Sequence, residues 1–430
     1  MRRRLLVIAA VAPMAAFAMA VMAVMAAAPA RADLAQSRVV SEDPADRTPH
    51  VLDGTVRAFA EVDGKIVVGG TFTQVRQART RAVLAIRNLF AYDKATGAID
   101  RRFRPSVDKE VLALQPGADG TVYAAGSFTR VNGSAVRGLA RLNLSGGAVV
   151  PSFRGRVTDG RVNALVRRGE TLYAGGTFHG IGGLRRTAIA RLDAATGTAD
   201  RRFAVTPAAP LGDGEPRVES IAVDPRHTKV VFDGDFTRVN GLPRSQLAVL
   251  DVTATSAALS DWATDRYGDV CDRHASDGYL HDLDFDPTGR YFVVVTAGGT
   301  DGGSRLCAAA ARWDVAGAAA GRQPVWVNKT GGDSLLSVSV TGAAVYVGGH
   351  QRWQDNPLGR DDAGPGAVSR PGIAALDPET GRALPWNPTR TRGHGVEVLA
   401  ATGDGGLLVG CDTEQLGREY HARVGMFPAG

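Results

Sequence analysis

The chain has 430 residues, 44% of them hydrophobic and 22% charged, with 53 glycines, 21 prolines and three cysteines. That is enough apolar material for a sizeable core, and it excludes a disordered chain or a small disulfide scaffold. The formal net charge is +6, but residues 1–32 hold four arginines and no acid, and without them 46 basic residues face 44 acidic ones. The resulting +2, with no Lys/Arg run interleaved with aromatics, removes the main support for a nucleic-acid partner.

In chain order, Arg2, Arg3 and Arg4 precede a long Ala/Met/Val stretch, and Ala30-Arg31-Ala32 before Asp33 has the small-x-small form of a cleavage site. Residues 1–32 therefore read as a signal peptide, exported by the general or the twin-arginine route, with an uncleaved anchor as the alternative. Residues 33–430 read as one domain of a secreted, monomeric protein with no membrane contact after cleavage.

From residue 56 onward one pattern recurs with a period of about 50 residues, the mark of a repeat architecture. Each unit opens on an apolar segment: VRAFAEV at 56, VLALQPG at 111, VNALVRR at 162, VESIAVD at 218, LHDLDFD at 280, LLSVSV at 335 and VEVLAAT at 396. About a dozen residues on comes a strand ending in small residues, as in IVVGGTF at 66, VYAAGSF at 122, LYAGGTF at 172, VVFDGDF at 230 and VYVGGHQRW at 345. FVVVTAGGT at 292 and LLVGCDT at 407 are its degenerate copies. A third strand follows (GLARLNL at 138, TAIARLD at 187), then a turn and a short fourth strand ending in an aromatic (AIDRRF at 98, TADRRF at 198, LPW at 384). Four short strands per unit and seven units predict an all-β fold, a seven-bladed β-propeller of four-stranded antiparallel blades.

The paired glycines allow close approach between crowded inner strands, or a bulge. No helix pattern follows them, so neither a dinucleotide fingerprint nor a P-loop has its required context. The last unit has three strand patterns before the chain stops, and TPHVLDG at 48–54 resembles the end of the fourth strand at 103–109, FRPSVDK. The ring is therefore expected to be closed by the N-terminal strand pairing into the last blade, which removes an exposed edge.

Blades one to three carry no pairing of nucleophile and base. Later units lengthen, with insertions at 261–279 and 350–371, and long loops on a rigid scaffold are where binding sites concentrate. Strand direction places these insertions on one face with His281, Asp333, His394 and Asp412. In unit six the expected Thr-Phe is replaced by His350, Gln351, Arg352 and Trp353, leading to Asp361 and Arg370. The expected ligand-binding set is His281, Asp333, His350, Arg352, Trp353, Asp361, Arg370, His394 and Asp412. Trp353 serves as stacking platform and the charged groups fix orientation.

Cys271 and Cys307 reach the same face and form the expected disulfide, leaving Cys411 as a buried thiol. Asp282, Asp284 and Asp286 alternate along one strand face, which suits calcium, although the Asp286-Pro287-Thr288-Gly289 turn accounts for Asp286 alone. No cofactor is expected, with calcium at these aspartates as the alternative.

The units at 122–153 and 172–203 resemble the delta-60 repeat. The stretch 331–381, with GGDSLLSVSVTGAAVYVGGHQRW and GAVSRPGIAALDPETG, is similar to exported actinobacterial proteins that carry such repeats. The resemblance covers most of residues 56–427 and implies a secreted β-propeller with no catalytic residue to carry over. The expected function is an extracellular binding or interaction module for a carbohydrate or another component of the cell envelope. The alternative is a hydrolase or lyase using the insertion-bearing face of blades five to seven.

Overall fold

A computed structural model describes residues 35–268, 271, 279–299, 305–317, 320–391 and 393–430. The expected signal peptide and much of the 261–279 insertion lie outside them. All regular structure among the described residues is β-strand, paired antiparallel.

Each apolar opening segment is the first strand of a sheet: Val56–Val62, Val111–Pro116, Val162–Arg168, Arg217–Val223, Leu280–Phe285, Leu335–Val340 and Val396–Ala401. Each pairs with the small-residue strand, which pairs in turn with the third. The fourth strand is fully formed in two units, at Ala257–Leu259 and Trp326–Lys329. In four others it shrinks to a single bridge, such as Leu192 to Ala199. The Asp-x-x-Thr-Gly turns explain this shortness: Asp193 accepts from the Thr196 N–H and hydroxyl, and the turn closes so tightly that one residue pair suffices.

The sequence gives no sign of a further element, a short hairpin between the second and third strands, such as Arg130–Val131 with Ser134–Ala135. The end of the preceding unit's fourth segment pairs with it, as in Val107 with Val131 and Val157 with Ile181. His50–Val51 pairs with Gln74–Arg76 in the same way, so TPHVLDG occupies the place that FRPSVDK takes one unit later. Upstream, the same segment runs beside the third strand of the last unit, Val424–Phe427. Ser41 N–H donates to the Pro428 carbonyl at 2.9 Å and Ala45 N–H to that of Met426 at 2.8 Å.

The core lies between consecutive units. Leu114 and Val122 pack with Ala58 and Val67 of the unit before, and the last unit's Val398, Leu408 and Val424 pack with Val56, Phe59 and Val68 of the first. Tyrosines of the second strand tie neighbours together: Tyr123 donates to the Ala194 carbonyl, Tyr173 meets His227, and Tyr346 accepts from Val40 N–H.

The two glycines of each pair have separate duties. A Cβ on Gly175 would lie 2.5 Å from Val218 Cγ1 of the next unit, and one on Gly410 would lie 2.7 Å from Val56 Cγ1. A Cβ on Gly176 would strike the Arg161 carbonyl of its own sheet at 2.1 Å. The second glycine lies opposite a β-bulge. In all seven first strands the register slips at the same place, between Val56 and Ala58, Val162 and Ala164, Leu280 and Asp282, and their counterparts.

Candidate binding site at the mouth of a central cavity

The bulge turns one residue per unit away from the alternation of its strand. These residues are Arg57, Leu112, Asn163, Glu219, His281, Leu336 and Glu397, and all seven line one cavity of about 540 Å³ that the first strands enclose. Beneath them the wall is largely small and apolar, including Ala60, Ala164 and Ala400.

Neighbouring members of the ring are bonded across units. Arg57 Nη1 lies 2.7 Å from Glu397 Oε2, joining the first unit to the last. Asn163 Nδ2 donates to Glu219 Oε2 at 2.9 Å. Arg217 backs Glu219 at 2.5 Å and reaches the buried Asp235 at 3.4 Å. Between these arcs His281 makes no hydrogen bond to the other described residues and is open to the cavity. Protein nonetheless surrounds the imidazole, and the resulting loss of bulk water lowers its pKa against the pull of the Glu219, Glu397 and Asp282 carboxylates. At neutral pH it is a neutral ring with one donor and one acceptor to offer.

The expected site residues fall into three places. His281 is a ring member. His394 donates from Nδ1 to Glu397 Oε1 at 2.6 Å and extends the ring outward, while Asp412 holds the turn beneath it by accepting from the His394 and Gly395 N–H groups. His350 Nδ1 bonds the Gly393 carbonyl of that turn at 2.6 Å.

Asp333, Arg352, Trp353 and Asp361 form a second group. Asp333 accepts from the Arg352 N–H at 3.0 Å and from its guanidinium at 2.8 and 3.2 Å. Asp53 and Asp108 hold the matching backbone N–H of Thr73 and Thr129, so Asp333 repeats a structural anchor. The same guanidinium pairs with Asp361 and lies 4.3 Å from the Trp353 ring, covering one face of the indole. Arg370 stands apart from both groups. It is buried and donates to the Leu384 carbonyl at 2.6 Å, as Arg244 does to that of Ser260, so it fastens the fourth segment.

The three alternating aspartates bond backbone N–H groups. Asp282 and Asp284 accept from Val338 and Val340 of the next unit at 3.0 and 2.9 Å, and Asp286 closes its own turn on Arg290 and Tyr291. Backbone N–H groups thus account for a carboxylate at each of the three positions. Ser220 Oγ donates to Asp282 at 2.9 Å, and behind it Asp233 is wholly buried. Burial, then Asp282 and Glu219, push the Asp233 carboxyl well above the usual range. Cys271 and Cys307 form a disulfide with Cα atoms 5.6 Å apart, and Cys411 is a buried thiol whose pKa burial raises.

Comparison with known proteins bears on the fold. Three stretches match a β-propeller family. Residues 63–85, 117–147 and 171–203 match the family described as "Domain of unknown function (DUF5122) beta-propeller", and all three lie in the first three units. No curated protein matches the chain. Among solved structures, the computationally designed Ika8 protein is similar at a TM-score of 0.48 and 14% identity, over 90% of this chain and 100% of that one. The chain is thus an all-β protein with β-propeller repeats.

The ring is what sequence reading misses. Its signal is the second position of the seven opening segments, which reads Arg, Leu, Asn, Glu, His, Leu, Glu, each after a Val or Leu.

Proposed function

We propose that the chain is an exported seven-bladed β-propeller of the delta-60 type, closed by its N-terminal segment along the last blade, that binds a polar extracellular ligand at the mouth of its central cavity. The single observation that carries this reading is the ring of bulge residues: seven side chains, one from each unit, converge on one opening. Its polar arcs, Arg57 with Glu397 and Asn163 with Glu219 and His281, alternate with Leu112 and Leu336. Fixed donors and acceptors beside apolar flanks suit a hydroxyl-rich ligand with apolar ring faces, such as a cell-envelope carbohydrate. The disulfide agrees with an oxidising compartment.

The test is a glycan array and a cell-wall pulldown with the mature chain. His281→Ala, Asn163→Ala and Glu219→Gln are expected to weaken binding at least about tenfold, since each leaves a polar partner unmatched, while thermal midpoints stay within a degree or two of the parent. Binding that survives all three variants would place the site elsewhere, and release of a cleaved product would favour a hydrolase or lyase.

A further inference from the structure

The seven bulge residues follow one another around the opening as Arg57, Leu112, Asn163, Glu219, His281, Leu336 and Glu397, because each first strand packs against the next and the last against the first. In that order Asn163, Glu219 and His281 separate Leu112 from Leu336 on one side, and Glu397 and Arg57 separate them on the other. The two leucines therefore stand across the opening from each other. Both are half-buried, so each still turns apolar surface to the cavity. The opening has the character of a slot, with apolar long sides and polar ends.

A pyranose ring has two faces that carry C–H groups and an edge that carries hydroxyls. Set upright in this slot, with its plane along the cavity axis, it lays its faces on Leu112 and Leu336 and brings its hydroxyls to the two polar arcs. Laid flat across the mouth, it would bring its hydroxyls to the leucines and leave them without partners. The slot is also sunk below the surface. The Glu397 side chain is 9% exposed beneath that of His394, which is 70% exposed, so a ligand lying flat meets His394 first.

An upright sugar in the middle of a polymer carries chain at both ends. One end leaves through the mouth, but the other must go down into a cavity walled on all sides by strands. At about 540 Å³ that cavity has the size of a site for a small ligand, and the small side chains Ala60, Ala164 and Ala400 leave room for a short piece only.

We propose, on the reading that this cavity takes a carbohydrate, that it takes chain ends: a terminal sugar or a short free oligosaccharide enters along the axis, with one ring held between Leu112 and Leu336. The interior of a polysaccharide is not bound.

The experiment uses the mature protein and purified bacterial cell walls, whole and after limited acid hydrolysis, which cuts glycosidic bonds and multiplies chain ends at constant mass. Reducing ends, titrated chemically, count the chains. Binding sites per milligram, from pulldown on whole walls and calorimetry on the soluble fragments, should rise in proportion to those ends. Leu112→Ala and Leu336→Ala should each weaken fragment binding about tenfold, with thermal midpoints near the parent's because both side chains already face the cavity. Sites that stay level or fall as ends multiply, or leucine variants that bind as the parent does, overturn the chain-end inference and leave the carbohydrate reading standing. If no preparation binds, the carbohydrate reading itself fails and the inference falls with it.

Discussion

Asp233 stands where the first glycine of the pair stands in units one, three, six and seven, and it is wholly buried with Oδ2 unpartnered. Its pKa lies above the unfolded value of 3.8. The native state therefore holds a proton that the unfolded chain has released, and the stability this provides is whole below the ordinary aspartate range and is lost as pH rises through the raised value. Asp233→Asn, which cannot ionise, should gain stability relative to the parent as pH increases from about 5 to 9, measured as denaturant midpoints. Profiles that run parallel would show that Asp233 titrates normally. Single residues were the least legible scale in the sequence. Arg352 and Arg370 both read as charged groups for a ligand, yet one guanidinium is spent on Asp333 and Asp361 and the other on the Leu384 carbonyl. Which way a side chain turns at a strand end depends on partners brought by distant segments. His281 is legible as a polar candidate, but the bulge that aims it into the cavity is not, because a slip in register exists only once the two strands have paired.

At the scale of elements, the paired glycines carried most of the readable information, and both duties foreseen for them are present. The first permits close approach to the next unit, and the second faces the bulge. Gly175→Val should therefore destabilise the protein by about 1–3 kcal/mol, since the larger side chain must displace Val218. An unfolding midpoint equal to the parent's would mean that the neighbouring unit yields freely. The strands were legible because Val, Ile, Leu and Tyr recur between turn residues whose backbone chemistry is specific. The outer hairpins were not, because two-residue strands such as Gly180–Ile181 and Leu184–Arg185 are too short to show any alternation.

For the whole molecule, the N-terminal segment matters out of proportion to its length. It lies along Val424–Phe427, pairs with the first unit at His50 and Val51, and through the Val40 N–H donates to the Tyr346 hydroxyl of the sixth. Deleting residues 33–54 should bare the edge of the last sheet and cause aggregation or a large drop in the unfolding midpoint. A truncated chain that melts like the intact one would rule out a closing role. The likeness of TPHVLDG to FRPSVDK is legible in the sequence, and His50 and Val51 take the place that Val107 takes one unit later. The bulge ring has a further consequence, in evolutionary terms. Five of the seven ring residues sit on a bulge that faces a glycine, and all seven side chains line the cavity. A change of one codon there alters what the opening recognises while leaving the apolar core between units, which other residues build, in place. Ligand preference and foldability are thus free to drift independently, and descendants of one such gene are able to diverge in what they bind one blade at a time.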